Sequence, residues 1–295
     1  MEASIVTTVF MPVVLATIML GLGLSLTLAD FKRVLIFPRV VLVGLLCQTV
    51  LLPAVCFVIT KLAGLTPELA VGMMLLAASP GGATSNLYSH LARGDVALNI
   101  TLTALNSVLM VVTLPLIVNL SLEHFLGDSR TLPLQFGKVM QICLLVLGPV
   151  SLGMVLKSRW SALAERLQRP VKLLSAVFLT LVVAATLYRE RVMMGTYFQQ
   201  VGAATLVFNL ASMFLGYVIP RMLRISPPQA IAIGMEVGIH NSALALTIAY
   251  SPMLLNNSTM AIPNAVYGII MFFTAALFAY VVNATRRPES VTDRR

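Results

Sequence analysis

Two short stretches hold the residues able to do chemistry. In the first, Ser79-Pro80-Gly81-Gly82-Ala83-Thr84-Ser85-Asn86, a proline and two glycines lead into hydroxyl and amide side chains. In the second, Glu236-Val237-Gly238-Ile239-His240-Asn241-Ser242, a carboxylate and an imidazole stand one helical turn apart on the same face. Carboxylate, amide and hydroxyl oxygens are the ligands a small hard cation prefers. A Glu/His pair can also carry a proton or serve as general acid and base. The last reading is the weakest, because the chain contains no H-E-x-x-H, G-x-S-x-G or P-loop pattern. The protein is therefore expected not to be an enzyme.

The elements that must position these residues are membrane helices. Hydrophobic residues make up 58% of the 295, charged residues only 11%, and the mean hydropathy is +0.93. A soluble domain carries roughly 25% charged residues, so this chain needs lipid as its solvent. Apolar runs predict nine spans, near 8–28, 37–60, 67–91, 95–121, 133–156, 170–188, 198–220, 227–250 and 260–283. The first run lacks a basic leader and a small-residue cleavage site, and is read as a retained helix. Cys47, Cys56 and Cys143 are too scattered for a disulfide framework and read as packing residues.

The net charge of +9 does not point to nucleic acid, because the basic residues sit between apolar runs and not along one stripe. With the N-terminus outside, only Lys61, Arg130, Lys138, Arg189 and Arg191 of the 20 Lys and Arg fall on the outer side. That asymmetry predicts an N-out, C-in integral membrane protein.

Within this frame the two chemical stretches are anomalous. Pro80 deletes a backbone donor inside the third span, and freed backbone groups at membrane depth survive only when buried in protein or lining a cavity. Glu236 lies mid-span in the eighth, where an ionisable group costs at least a few kcal/mol and marks function. The segments entering them also correspond: Thr66-Pro67-Glu68-Leu69-Ala70-Val71-Gly72-Met73 matches Ser226-Pro227-Pro228-Gln229-Ala230-Ile231-Ala232-Ile233-Gly234-Met235 weakly. Being five spans apart, they cross in opposite senses, as broken helices of inverted repeats do around a secondary transporter's binding site.

The same residues carry a family resemblance. Pro80 to Asn86, followed by Leu91-Ala92-Arg93-Gly94-Asp95-Val96-Ala97-Leu98, closely resembles a signature of the bile acid:sodium symporter family, the apical sodium-dependent bile acid transporters among them. Glu236 to Ser242 resembles its second signature, and Gln48 near Pro53 fits a third position. The likeness runs in order along nearly the whole chain. It implies an all-α, nine-helix form that begins at the second span of ten-span bacterial members. One membrane domain would cover 1–295. Its panel would hold the helices at about 8–28, 133–156 and 170–188, and its core those within 37–121 and 198–283. The broken helices would cross in the core, and 284–295 would form a cytoplasmic tail.

The resemblance further implies sodium-coupled symport of a small organic anion, either bile-acid-like or a smaller carboxylate or sulfated compound. Transport would proceed by alternating access across the plasma (inner) membrane. One or two sodium ions, no organic cofactor and no obligate protein partner are implied. The first sodium site would map to Ser85, Asn86, Asn99, Thr103 and Glu236. The second would map to Gln48, Glu236, Val237, Ile239 and His240. Substrate would meet Ala83, Thr84 and Asn241, and the helix breaks would fall at Pro80, Gly81, Gly82 and Gly238. Three positions depart from the pattern: Asn99 replaces the bacterial Ser, Ala83 a hydroxyl residue, and His240 the usual Gln. An imidazole is a poor sodium ligand, so His240 is either a neutral hydrogen-bonding replacement or a proton carrier. In the latter case the carrier is proton-coupled through Glu236 and His240. For Asn106, sequence does not separate helix-to-helix contact from cavity lining.

Overall fold

Helix fills the apolar runs between prolines and glycines in a computed structural model that describes residues 11–127, 136–189, 194–251 and 254–285. The order begins with α1 (Met11–Gly23), α2 (Leu28–Lys32) and α3 (Pro38–Leu46). A π turn (Cys47–Leu51) then leads into α4 (Leu52–Leu62), α5 (Pro67–Ala78), α6 (Ala83–Leu91) and α7 (Val96–Leu126). Beyond these come α8 (Phe136–Arg159), α9 (Ser161–Arg189), α10 (Met194–Met222), α11 (Pro227–Gly238), α12 (Ser242–Tyr250) and α13 (Ser258–Thr285).

Among the described residues, four helical stretches are long and apolar enough to cross a membrane: Pro38–Leu62, Val96–Leu126, Phe198–Met222 and Ser258–Thr285. Pro12–Gly23 and Pro67–Ala78 are shorter apolar helices. Among the described residues the fold is all-helical, and its long apolar helices make this an integral membrane protein.

Some boundaries differ from the sequence reading. α9 begins at Ser161, well before the expected 170, and Pro170 lies inside it. The polar stretch before Pro170 becomes helical because it has something to bury: Ala164 is fully covered, and its N–H donates to Trp160 O at 2.9 Å. The stretch 8–10 of the first predicted span and most of the expected tail, 286–295, lie outside the described residues.

α1 runs along α8 and α9 at close range. A Cβ on Gly153 of α8 would stand 2.6 Å from Leu24 N and 2.7 Å from Leu20 O, so only glycine permits the approach. A second group, comprising α5, α7, α10, α11 and α13, packs around the buried halves of α5 and α11. Here too small residues bring backbones together, as membrane helices require in the absence of a hydrophobic drive. A Cβ at Gly216 of α10 would meet Gly234 Cα of α11 at 3.0 Å.

α5 and α11 start and stop alike. Each has proline in its first turn, where the missing N–H costs nothing. α5 ends because Pro80 pushes Ser79 out of the helical region, to φ −75°, ψ 136°. α11 ends without a proline, at Ile239 with φ −118°, ψ 92°. The two ends then pair: Gly82 N–H donates to Ile239 O at 3.0 Å and Asn241 N–H to Pro80 O at 2.9 Å. These form an isolated antiparallel bridge between Gly81 and His240. Each broken helix thereby satisfies backbone groups that the other leaves open.

Candidate functional site

The bridge delivers three elements to one point. Glu236 sits in the last turn of α11 and Ser85 in the first turn of α6, while Asn99, Thr103 and Asn106 lie on one face of α7. α7 is aimed by Asp95, which caps it by accepting from Leu98 N at 3.0 Å while its own N–H donates to Pro228 O at 2.9 Å.

Glu236 is fully buried. Thr103 donates to Oε2 at 2.6 Å, Ser85 lies 3.0 Å from the same oxygen, and Asn106 Nδ2 donates to Oε1 at 3.1 Å. The Gly81 backbone N–H also bonds the carboxylate. A Cβ on Gly81 would overlap the carboxyl group, which is why this corner must be glycine. No ion pair to Glu236 occurs among the described residues.

The cluster holds more acceptors than protons. Ser85 Oγ is 2.8 Å from Asn99 Oδ1 as well as near Glu236, and Thr103 Oγ1 is 3.0 Å from Asn99 O as well as near Glu236. Two hydroxyl protons cannot serve four such contacts. Asn99 Nδ2 donates to Ala232 O at 2.9 Å, which turns its Oδ1 toward Ser85. A small cation could convert this surplus of lone pairs into ligands, and an all-oxygen set would suit a hard one.

Of the expected first set, Ser85, Asn99, Thr103 and Glu236 converge. Asn86 is next to Ser85, with Oδ1 buried and without a hydrogen-bond partner among the described residues. Asn106, left undecided by sequence, is a direct partner of the carboxylate. Its signal was the spacing of Asn99, Thr103 and Asn106 at i, i+4 and i+7 on one helix face.

Around the second break the geometry is different. Gln48 lies in the π turn and is buried, donating through Nε2 to Ser79 O at 2.9 Å. His240 bonds the same carbonyl through Nδ1 at 3.0 Å, so Nδ1 carries the proton and Nε2 presents a lone pair, buried with no partner among the described residues. The imidazole lies over Phe208 (ring centroids 5.7 Å apart, 17° between planes) and edge-on to Tyr267. Val237 and Ile239 are fully buried, and Ile239 O is already occupied by Gly82 N.

Gly238 O, freed by the break, accepts from both Asn209 Nδ2 and Tyr267 OH at 2.9 Å. Thr274 in turn donates to Asn209 Oδ1. Sequence reasoning missed this support, because its members come from α10 and α13, remote in the chain. Asn241 caps α12, accepting from Leu244 N at 3.0 Å. Ala83 opens α6 and Thr84 follows it, half-buried.

A lipid-embedded bundle whose two broken helices meet over an uncompensated, oxygen-surrounded carboxylate defines a membrane transporter. Comparison with known proteins makes the assignment specific: the profile of the Sodium Bile acid symporter family matches residues 12–196, and the chain belongs to that family. It is 27% identical over 264 residues to the uncharacterized sodium-dependent transporter YocS of Bacillus subtilis, covering 88% of this chain and 78% of that one. It is 24% identical to the ileal sodium/bile acid cotransporter of Oryctolagus cuniculus, covering 98% and 83%. Identity to the probable chloroplastic sodium/metabolite cotransporter BASS1 of Arabidopsis thaliana is 28%, covering 85% of this chain but only 61% of the plant protein. The relatives are named as transporters and cotransporters, so the protein is a sodium-dependent carrier by family and not an enzyme.

Proposed function

We propose that the protein imports a small organic anion together with sodium, by alternating access. The observation that carries this reading is the buried Glu236 carboxylate, which has no counter-ion among the described residues and faces more lone pairs than protons. The coupling sodium is held by Ser85, Asn99, Thr103 and Glu236, with Asn86 beside them. Binding it neutralises a charge that would otherwise burden the crossing.

The helices make nine spans, N-terminus outside, in the plasma (inner) membrane. α1, α8 and α9 form the panel, and the inverted halves containing α5–α6 and α11–α12 form the core that rocks against it. Close packing of α1 on α8 and α9 supports that division. Substrate, a carboxylate or sulfated compound, meets the start of α6 at Ala83 and Thr84 and the Nδ2 of Asn241. Uptake of a labelled organic acid into proteoliposomes should require an inward sodium gradient and vanish in Glu236→Ala. Full uptake without any cation gradient would defeat the proposal.

One observation favours a second reading, coupling to protons through Glu236 and His240: His240 Nε2 is a buried lone pair with no partner among the described residues. Uptake driven by a pH gradient in sodium-free buffer, lost in His240→Gln, would support it over sodium coupling.

A further inference from the structure

α3 and the π turn pack against α7, but beyond the π turn α4 swings away from it. The gap is an open groove of about 530 Å³, lined by Pro53 and Phe57 of α4, Met74 of α5, and Ile117, Leu120 and Glu123 of α7. From Pro53 toward Lys61 it follows α4 for roughly 12 Å. Ser121, also in the wall, spends its hydroxyl proton on Ile117 O at 2.6 Å, so it brings no free donor to this apolar wall. Val58 of α4 and Leu116 and Leu120 of α7 are more than half exposed, so both flanking helices turn apolar faces to lipid. A hydrocarbon chain passes from bilayer to groove with no change of hydration, and selectivity has to come from the polar end.

That end is an aromatic collar carrying two opposite charges. The Phe57 ring lies 5.0 Å from His124 and 5.6 Å from Phe125, and the His124 and Phe125 rings are 4.9 Å apart, all between centroids. Lys61 Nζ stands 5.9 Å over the Phe125 ring, while Glu123 lines the groove on the other side of His124. Lys61 is in the last turn of α4, and Glu123 to Phe125 are at the end of α7, the level at which aromatic rings and lysines of membrane helices meet lipid headgroups. Among the described residues neither Lys61 nor Glu123 forms an ion pair. Opposite charges held apart are complementary to a zwitterion. Glu123 repels an anionic headgroup or a free organic anion, and Lys61 repels a cation. A primary ammonium donates three N–H bonds, as a lysine does, and so suits the carboxylate better than a quaternary one with none.

We infer that this groove is a binding site for a zwitterionic aminophospholipid of the phosphatidylethanolamine kind. One acyl chain lies between α4 and α7, the ammonium meets Glu123 and the phosphate meets Lys61. The bound lipid fills the gap that opens after the π turn and ties the end of α4 to the end of α7. Its walls include none of the side chains that bond Glu236, so lipid selectivity is read separately from the symport reading.

Native mass spectrometry of the delipidated protein in detergent tests this, with phosphatidylethanolamine, phosphatidylcholine and phosphatidylglycerol of the same acyl chains titrated separately. The tightest phosphatidylethanolamine should bind about ten-fold more strongly than either of the others, the worth of one hydrogen bond to a charged group. Glu123→Gln should erase that preference and Glu123→Asp should keep it. Lys61→Gln should weaken all three lipids, because each carries the phosphate. Leu120→Trp, which places bulk on the open lip of the groove, should abolish the preferred binding. Glu123, Lys61 and Leu120 are all exposed, so these changes leave the packed interior alone. Equal affinity for the three lipids in the parent, or a preference for phosphatidylglycerol or phosphatidylcholine, would overturn the inference. So would a phosphatidylethanolamine preference that survives both Glu123→Gln and Leu120→Trp.

Discussion

Replacing Gly81 with alanine adds a single methyl group, and the structure says where it must go. The new Cβ would fall inside the Glu236 carboxyl group, not beside it. Restoring ordinary contact requires the carboxylate to retreat by roughly 1 Å. The bonds from Ser85 at 3.0 Å and Asn106 at 3.1 Å would then stretch past the limit of a hydrogen bond. A hydrogen bond to a charged group contributes about 1.5–3 kcal/mol, so losing one such ligand-positioning contact should weaken sodium binding about ten- to hundred-fold.

Gly82→Ala is the matched control. Its Cβ would meet Thr84 Oγ1 at 3.5 Å and His240 O at 3.7 Å, both ordinary contacts. Its backbone, at φ −93°, ψ 163°, suits any residue. Sodium affinity there should stay within about two-fold of the parent. Sodium titration of the melting temperature in detergent reads both, because an ion that binds the folded state alone raises stability by about 2.7 kcal/mol at one hundred times its Kd. A parental sodium midpoint in Gly81→Ala, or equal damage in Gly82→Ala, would refute the claim that this carboxylate, held at this corner, anchors the ion.

Other consequences are as specific. Tyr267→Phe leaves Gly238 O with Asn209 alone and should cost about 0.6–1.7 kcal/mol, the range for polar contacts between membrane helices. Asn209→Ala removes the amide donor to Gly238 O and sends the Thr274 hydroxyl back to Ile270 O and Met271 O, both at 3.1 Å; it should cost about 1–3 kcal/mol, read as a lower melting temperature. Gly153→Ala forces α1 and α8 apart and should destabilise by about 1–3 kcal/mol, while folded protein keeps parental sodium affinity; a large loss of affinity would deny the separation of α1 and α8 from the site. Under sodium symport, His240→Gln should keep its sodium dependence in proteoliposome uptake, and loss of sodium dependence there would argue that the imidazole is itself needed for coupling.

Much of this molecule was legible before any coordinates. The shortage of charge required lipid, and Pro80 required a break at Ser79 whatever surrounds it, because a missing N–H and a clash with the preceding turn are local facts. Ser85, Asn99, Thr103 and Glu236 were found through residue type and family likeness, and they do converge. Less was visible in 161–169, where the polar sequence reads as a loop but folds as the start of α9.

What the sequence by itself determined is the solvent the chain needs, the first helix break and the presence of a costly carboxylate within an apolar run. Each follows from one residue or from a sum over residues. What only the tertiary structure decided is the second break, which no proline enforces. There Gly82 and Pro80 take up the backbone groups of Ile239 and Asn241, and Asn209 and Tyr267 take up Gly238 O. The tertiary structure likewise decided that Asn106 serves Glu236. Such pairings join residues more than a hundred positions apart in several cases, and hydrogen-bond demand at a broken backbone is met by whichever element packing brings within reach.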